Sequence, residues 1–241
     1  MSVLIITSTV NVNSCLTVLV DAGVRLKQYV DSVLFYLQSK KIDKIIICDN
    51  SLFDYSEIKV INDQALLNGK KIEFLNFEGD IKKIQEFGKG YGEGEIVQYV
   101  FKNSKLIRED EDCFLKVTGR LKLSNVDSIL NYFKPKCNYF QPAILNPFTK
   151  SFKVDTRFYQ LSKETFISFF MDSYKLVNDK DSFFLEHVYF RKLKEEKVKY
   201  KPFNQLPFFV GISGSTGISY EFSKLSFIKK TIFFKMFRFI Y

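Results

Sequence analysis

Three short apolar runs, the first two closing on small polar residues, constrain this chain more than anything else in it. Val3 to Ser8 is continuously apolar and ends in Thr7-Ser8-Thr9. Lys44-Ile-Ile-Ile-Cys-Asp-Asn-Ser51 follows the same plan, and Lys71-Ile-Glu-Phe-Leu-Asn-Phe77 is a third run. Runs this short and this apolar suit strands buried on both faces of a sheet. Between the first two, Leu26, Tyr29, Val30, Val33 and Leu37 recur at helical spacing, which predicts a helix over Arg25–Leu37. Strand and helix in alternation argue for an α/β fold: a mostly parallel central sheet flanked by helices.

The stretch from Phe87 to Arg120 carries the strongest functional signal. Gly88, Gly90, Gly92 and Gly94 alternate, Ile96-Val-Gln-Tyr-Val-Phe101 follows, and Cys113-Phe-Leu-Lys-Val-Thr-Gly-Arg120 closes the unit. This reads as a glycine loop, a helix and a buried strand. Glycines let a backbone approach a ligand, and a helix N-terminus directly behind them suits phosphate. Thr118-Gly119-Arg120 falls at the carboxyl end of a strand, where open α/β sheets collect ligands. The spacing matches neither the Walker loop nor the dinucleotide fingerprint. Read plainly, the same residues form a mobile loop and a strand followed by an ordinary turn.

At 241 residues the chain fits one large domain. We place a nucleotide-binding part at 1–150, an acceptor-side part of the same domain at 151–220, and a basic aromatic segment at 221–241. After Pro135 the order changes. Tyr139–Leu145 reads as a strand that Pro142 pushes towards an edge. Phe152–Leu161 alternates and predicts antiparallel pairing, Ser162 caps a helix towards Tyr174, and Phe183–Glu196 is a further helix with His187 and Arg191 on one face. Gly211–Gly217 is a second small-residue loop.

Net charge is +9, which favours phosphorylated ligands, nucleic acid or anionic membrane. No nucleic-acid module is recognisable, so a basic nucleic-acid binder rests on charge alone. With six arginines against thirty lysines, each Arg marks a place where a guanidinium fork is wanted. Cys15, Cys48, Cys113 and Cys137 are too widely spaced for a zinc site and read as reduced core residues. The N-terminus lacks a basic n-region and reads as a first strand, which predicts a cytoplasmic protein.

In this order of elements and motifs the chain resembles a bacterial glycosyltransferase of the GT-A fold. Lys116-Val-Thr-Gly-Arg120 and Val154-Asp-Thr-Arg157 resemble motifs of transferases that assemble capsule or lipopolysaccharide. The resemblance implies a Rossmann-like, GT-A-like sheet with a smaller antiparallel and helical C-terminal part. It implies a nucleotide-sugar donor and a glycan or lipid-linked glycan acceptor. Thr7, Ser8 and Thr9 would face the nucleotide, with Arg25 near base or phosphate and Asp49 and Asn50 at base or ribose. Gly90, Gly92, Glu93 and Glu95 would shape the donor site, beside Lys116, Thr118, Gly119 and Arg157.

Metal-dependent members carry an Asp-x-Asp motif at the strand end that holds Mg²⁺ or Mn²⁺. Here Thr118-Gly119-Arg120 stands in that place, and the acidic run Glu109–Asp112 lies at the opposite end. A fixed Arg120, with Arg25 or Arg157, would neutralise the leaving phosphate without metal; a CMP-activated donor is a related option. Glu186, at the start of the late helix, is the candidate base. Asp155 is its rival, although Asp155 and Arg157 also read as a structural ion pair. His187 reads as a packed or surface histidine.

Lys224, Lys229, Lys230, Lys235 and Arg238 alternate with aromatic and aliphatic residues in the last twenty positions. That composition suits an interfacial helix on anionic membrane over Phe222–Tyr241, or a terminal helix packed on the core. Beside the transferase reading stand a nucleotidyltransferase, which would want paired carboxylates on a metal, and a non-catalytic nucleotide- or glycan-binding module.

Overall fold

The structure is a computed structural model that describes residues 3–12, 18–108, 112–142, 152–212, 217, 219–220, 228, 231–232 and 234. The strands are β1 (Val3–Ser8), β2 (Lys44–Asp49), β3 (Lys71–Asn76), β4 (Cys113–Thr118), β5 (Lys122–Leu123), β6 (Asn138–Pro142), β7 (Val154–Ser162), β8 (Tyr200–Lys201) and β9 (Phe209–Val210). The α-helices are α1 (Ala22–Leu37), α2 (Lys59–Leu67), α3 (Ile81–Phe87), α4 (Lys89–Asn103), α5 (Lys105–Arg108), α6 (Val126–Leu130), α7 (Lys163–Thr165) and α8 (Leu185–Glu195).

Seven strands form one sheet in the order β3-β2-β1-β4-β7-β6-β8. β3, β2, β1 and β4 run parallel, and β7 alone runs against its neighbours β4 and β6. The expected mostly parallel, helix-flanked sheet is therefore present, with β5 and β9 as a small antiparallel pair beside it. Alternate residues of each strand feed opposite faces. Val3, Ile5, Ile46 and Phe114 pack under α4 and α8; Leu4, Ile6, Ile45, Leu115 and Val117 pack under α1, α2 and α6. Burial on both faces explains the unbroken apolar runs.

The chain adds β2 and β3 on one side of β1, then crosses back to place β4 on the other. The ends of β1 and β4 thus flank a topological switch point, where a crevice opens. Thr7, Ser8, Thr118, Gly119 and Arg120 all lie at this end. Gly119 lets the two strand ends close: its N–H donates to the Thr7 carbonyl at 3.0 Å, and a Cβ there would sit 2.3 Å from that same oxygen.

Several sequence expectations are corrected. The alternating glycines are no loop. Gly90, Gly92 and Gly94 lie inside α4, which starts at Lys89 directly after Gly88, its N-cap, at φ +100°. Glycine serves close packing here, since a Cβ on Gly94 would fall 2.1 Å from Tyr174 Cβ. α1 begins three residues before Arg25, because the Asp21 side chain accepts from the Val24 N–H and caps it. Ser162 does cap the next helix, accepting from Thr165 N–H, but only three α-helical residues follow before a π-helical turn at Phe166–Phe170 and a 3₁₀ turn at Ser173–Leu176. β7 is buried at seven of nine positions instead of alternating, because it sits between β4 and β6.

β6 is not an edge strand. Short β8 covers its Asn138 and Tyr139, and Pro142 lies past the end of that pairing. Positions 143–145 of the predicted strand, Cys15, positions 109–111 of the acidic run, and the five cations of the tail lie outside the described residues. Asp112 is exposed before β4, at the end away from the crevice, and pairs with Lys136 at 3.5 Å. In the tail Phe234 is 1% exposed whereas Ile228 and Ile232 are more than half exposed. Among the described residues no helix is long and apolar enough to cross a membrane. Cys48 and Cys113 are buried cysteines, and burial raises the Cys48 thiol well above its ordinary range.

Candidate functional site

A cleft of about 660 Å³ opens at the switch point. One wall carries Thr7, Ser8 and Thr9 at the end of β1, with Arg25, Arg120 and Arg157; the other carries Gly90, Gly92, Glu93, Asp179 and Glu186. The predicted residues that meet here come from seven separate segments: the end of β1, α1, the turn after β2, α4, the end of β4, β7 and α8.

On the cationic wall the guanidiniums differ in freedom. Arg25 is 4% exposed, and its Nε donates to the Thr9 carbonyl at 2.8 Å, its Nη1 to the Leu19 carbonyl at 3.0 Å and its Nη2 to the Tyr29 hydroxyl at 3.1 Å. Burial lowers its pKa, and the nearby Arg120 charge adds to this. Arg25 shapes the loop after β1 and leaves its charge in the cleft. Among the described residues Arg120 is held by long contacts from Nη1, 3.3 Å to the Ile212 carbonyl and 3.4 Å to Gln28 Oε1. Its Nε is buried with no hydrogen-bond partner among the described residues. A half-satisfied guanidinium facing a cleft is suited to an anion. Arg157 is forked onto Asp155, by Nε at 2.9 Å and Nη2 at 2.6 Å, and its side chain stays about a third exposed.

The acidic wall is graded in the same way. Glu93 extends from α4 to the ammonium of Lys116, which β4 buries completely, and accepts from Thr118 Oγ1 at 2.9 Å. Burial pushes Glu93 up, but Lys116 and the hydrogen bonds of Lys116 and Thr118 outweigh it, and the carboxyl ends below its ordinary range. Glu186 stands in the first turn of α8 with its pKa raised, by burial first and then by the carboxylates of Glu93 and Asp155. Asp179 is 7% exposed; Oδ2 accepts from the Gly90 N–H at 3.1 Å, and Oδ1 is buried with no partner among the described residues. Burial raises Asp179 as well, against the pull of the Gly90 N–H and the Lys89 charge.

Asp179 revises the expectation of phosphate at the glycine helix. Its carboxylate already occupies the N-terminus of α4, taking the N–H that a phosphate would use. Gly88 and Gly90 make room for it, since a Cβ on Gly88 would lie 2.4 Å from the Asp179 side chain. The N-terminus of α4 is therefore already taken by a carboxylate of the chain itself.

Four other predicted ligands do not present free groups to the cleft. Lys116 points into the core under α4 and donates to the Thr156 carbonyl at 2.9 Å as well as to Glu93. Glu95 faces away, accepting from the Asp80 N–H at 3.2 Å, and burial raises its pKa. Asp49 is wholly buried and saturated: Ser8 Oγ and the Val10 N–H donate to one oxygen, the Ser51 N–H and hydroxyl to the other. It ties the loops after β1 and β2 together and so positions Thr9, whose hydroxyl donates to Asn50 Oδ1 at 2.6 Å. Asp155 is the partner of Arg157 and lies under the wall. His187 is packed, its Nδ1 accepting from the Phe184 N–H at 3.1 Å beside the Phe183 ring.

Sequence reading missed Asp179, Lys89, Ile212 and Tyr220 in the lining. The Asn178–Asp181 turn is legible as a turn, but nothing local links it to a helix start some ninety residues earlier.

The strand-end residues do not suit a divalent cation. Thr118, Gly119 and Arg120 supply no carboxylate, and Glu93 is engaged by an ammonium. Among the described residues no group of three or more His, Cys, Asp or Glu is placed to share a metal.

No protein-family model matches this chain, and no curated protein sequence matches it. Among solved structures it is similar to CMP:2-keto-3-deoxy-manno-octonic acid synthetase complexed with CTP, at 9% identity and a TM-score of 0.41, over 98% of this chain and 99% of that one. The likeness is one of overall layout and carries no argument about chemistry.

Proposed function

We propose that this chain is a glycosyltransferase that moves a sugar from a nucleotide-sugar donor to a hydroxyl of a growing surface glycan. The observation that carries the reading is one cleft at the switch point with an under-satisfied Arg120 on one wall and Glu186, raised by burial, on the other. The donor's phosphate lies against Arg120, with the Arg25 charge behind it. Glu186 takes the proton of the acceptor hydroxyl, whose oxygen bonds to the anomeric carbon as the bond from that carbon to the phosphate oxygen breaks. The electron pair leaves with the phosphate and is stabilised by the guanidinium, so the reaction runs without Mg²⁺ or Mn²⁺. The resemblance of Lys116–Arg120 and Val154–Arg157 to capsule and lipopolysaccharide transferases supports a glycan or lipid-linked acceptor, met at the inner face of the cell membrane.

The test is thermal shift of wild type and Arg120→Ala against UDP, CMP, GDP and their sugar conjugates, in EDTA and in Mn²⁺. Stabilisation by one nucleotide in EDTA, lost in Arg120→Ala, is the expected result; binding seen only with Mn²⁺ sinks the metal-free mechanism. Nucleotidyl transfer is separated by incubating UTP, CTP or GTP with free sugars, since pyrophosphate release there would replace glycosyl transfer as the activity.

A further inference from the structure

We infer that Arg157 acts on Arg120 as a positioning residue instead of touching the donor's phosphate. This rests on the proposed transferase reading, in which Arg120 carries that phosphate. The Arg157 guanidinium is locked edge-on by Asp155 and face-on by two rings. Its centre lies 4.4 Å from the Phe209 ring centroid and 5.0 Å from that of Tyr220. Asp155 outweighs the opposing effect of burial and raises the pKa of Arg157, with Tyr220 adding to it. A planar cation packed against two rings and forked onto a carboxylate is a fixed strut, which a lysine cannot replace.

What the strut holds leads directly to Arg120. Phe209 belongs to β9, which pairs with β5 three residues after Arg120, Leu123 facing Phe209. Tyr220 returns to the same place: its N–H donates to the Gly211 carbonyl at 2.9 Å, and Ile212 bridges Ser219. The Ile212 carbonyl thus presented accepts from Arg120 Nη1 at 3.3 Å. Gly211, at φ +138°, packs so closely that a Cβ there would lie 2.7 Å from the Arg120 carbonyl. Asp155, Arg157, the two rings and Ile212 therefore form one connected support for Arg120, whose buried Nε has no partner among the described residues.

The experiment is calorimetric titration of UDP, CMP and GDP in EDTA onto wild type, Arg157→Gln, Arg120→Lys and the double variant, with melting curves as a check of folding. Arg157→Gln should weaken the bound nucleotide about tenfold in the wild-type background and less than about twofold where Arg120 is already Lys. Tyr220→Leu, which removes a ring and neither charge, should reproduce that pattern, and it carries the test if Arg157→Gln does not fold. Equal fold-losses in both backgrounds would mean that Arg157 meets the phosphate itself and would overturn the inference, while nucleotide binding by wild type upheld the transferase reading. If none of the three nucleotides binds wild type at millimolar concentration, that reading falls and the inference with it.

Discussion

Lys116 and Glu93 form a charged pair between the middle of the sheet and α4, with the ammonium wholly buried and the carboxylate opening at one side onto the cleft. Thr118 completes the cluster by donating to the same carboxylate oxygen. A sequence motif that reads as a ligand set is here a structural pair, with Lys116 behind the cleft wall and Glu93 within it.

Removing one member should therefore show in stability before function. Lys116→Met leaves Glu93 without its counter-charge and should cost about 3–5 kcal/mol at neutral pH. Glu93 has a depressed pKa in the folded state, so its contribution is present above the unfolded value and is lost as pH falls through the folded one. Urea titrations of wild type and variant should accordingly differ most at pH 7 and converge below about pH 4. A difference that stays constant with pH would show that Lys116 acts by packing alone.

Glu186→Gln should leave nucleotide affinity unchanged and lower turnover by about 10²–10⁴. Because Glu186 titrates above the ordinary carboxylate range, the rate of wild type should fall with acidification through an inflection above that range. Turnover assayed by nucleotide release across pH 4–9 checks both points. Full activity in the Gln variant would remove Glu186 from the chemistry.

Asp179 separates capping from charge. Asp179→Ala deprives the Gly90 N–H of its acceptor and should cost about 0.5–2 kcal/mol. Asp179→Asn keeps an acceptor and removes a buried charge. A carboxyl whose folded pKa is raised contributes stability below its unfolded value that is lost as pH rises through the folded one. Wild type should thus lose ground to the Asn variant between pH 4 and pH 8 in thermal melts; a gain with pH would contradict this.

Gly94→Ala tests the packing account of the glycine helix. In an open helix interior this change stabilises by about 1 kcal/mol. Here the new Cβ would fall 2.1 Å from Tyr174 Cβ, so the sign should reverse, with a loss of about 1–3 kcal/mol by overpacking. A raised melting temperature would refute it.

The sheet was legible because burial on both faces writes itself into contiguous residues. Val3–Ser8 and Lys44–Asp49 must be apolar whatever else the chain does, and their small polar ends mark where the strands stop. The same local logic exposed Ser162 as a cap and Arg120 as a strand-end cation. By contrast, Gly88 to Gly94 look alike in a loop and in a helix pressed against a neighbour, and only the position of Asp179 and Tyr174 distinguishes the two. Whether a charged side chain is free or taken also depends on partners far along the chain. Glu93 and Lys116, or Arg120 and Ile212, meet only after the sheet has closed. The sequence by itself determined an α/β sheet with its polar strand ends gathered at one crevice, since hydrophobic periodicity is a local property. Tertiary structure alone decided which charges remain available there, since hydrogen bonds and ion pairs between distant segments consume the rest.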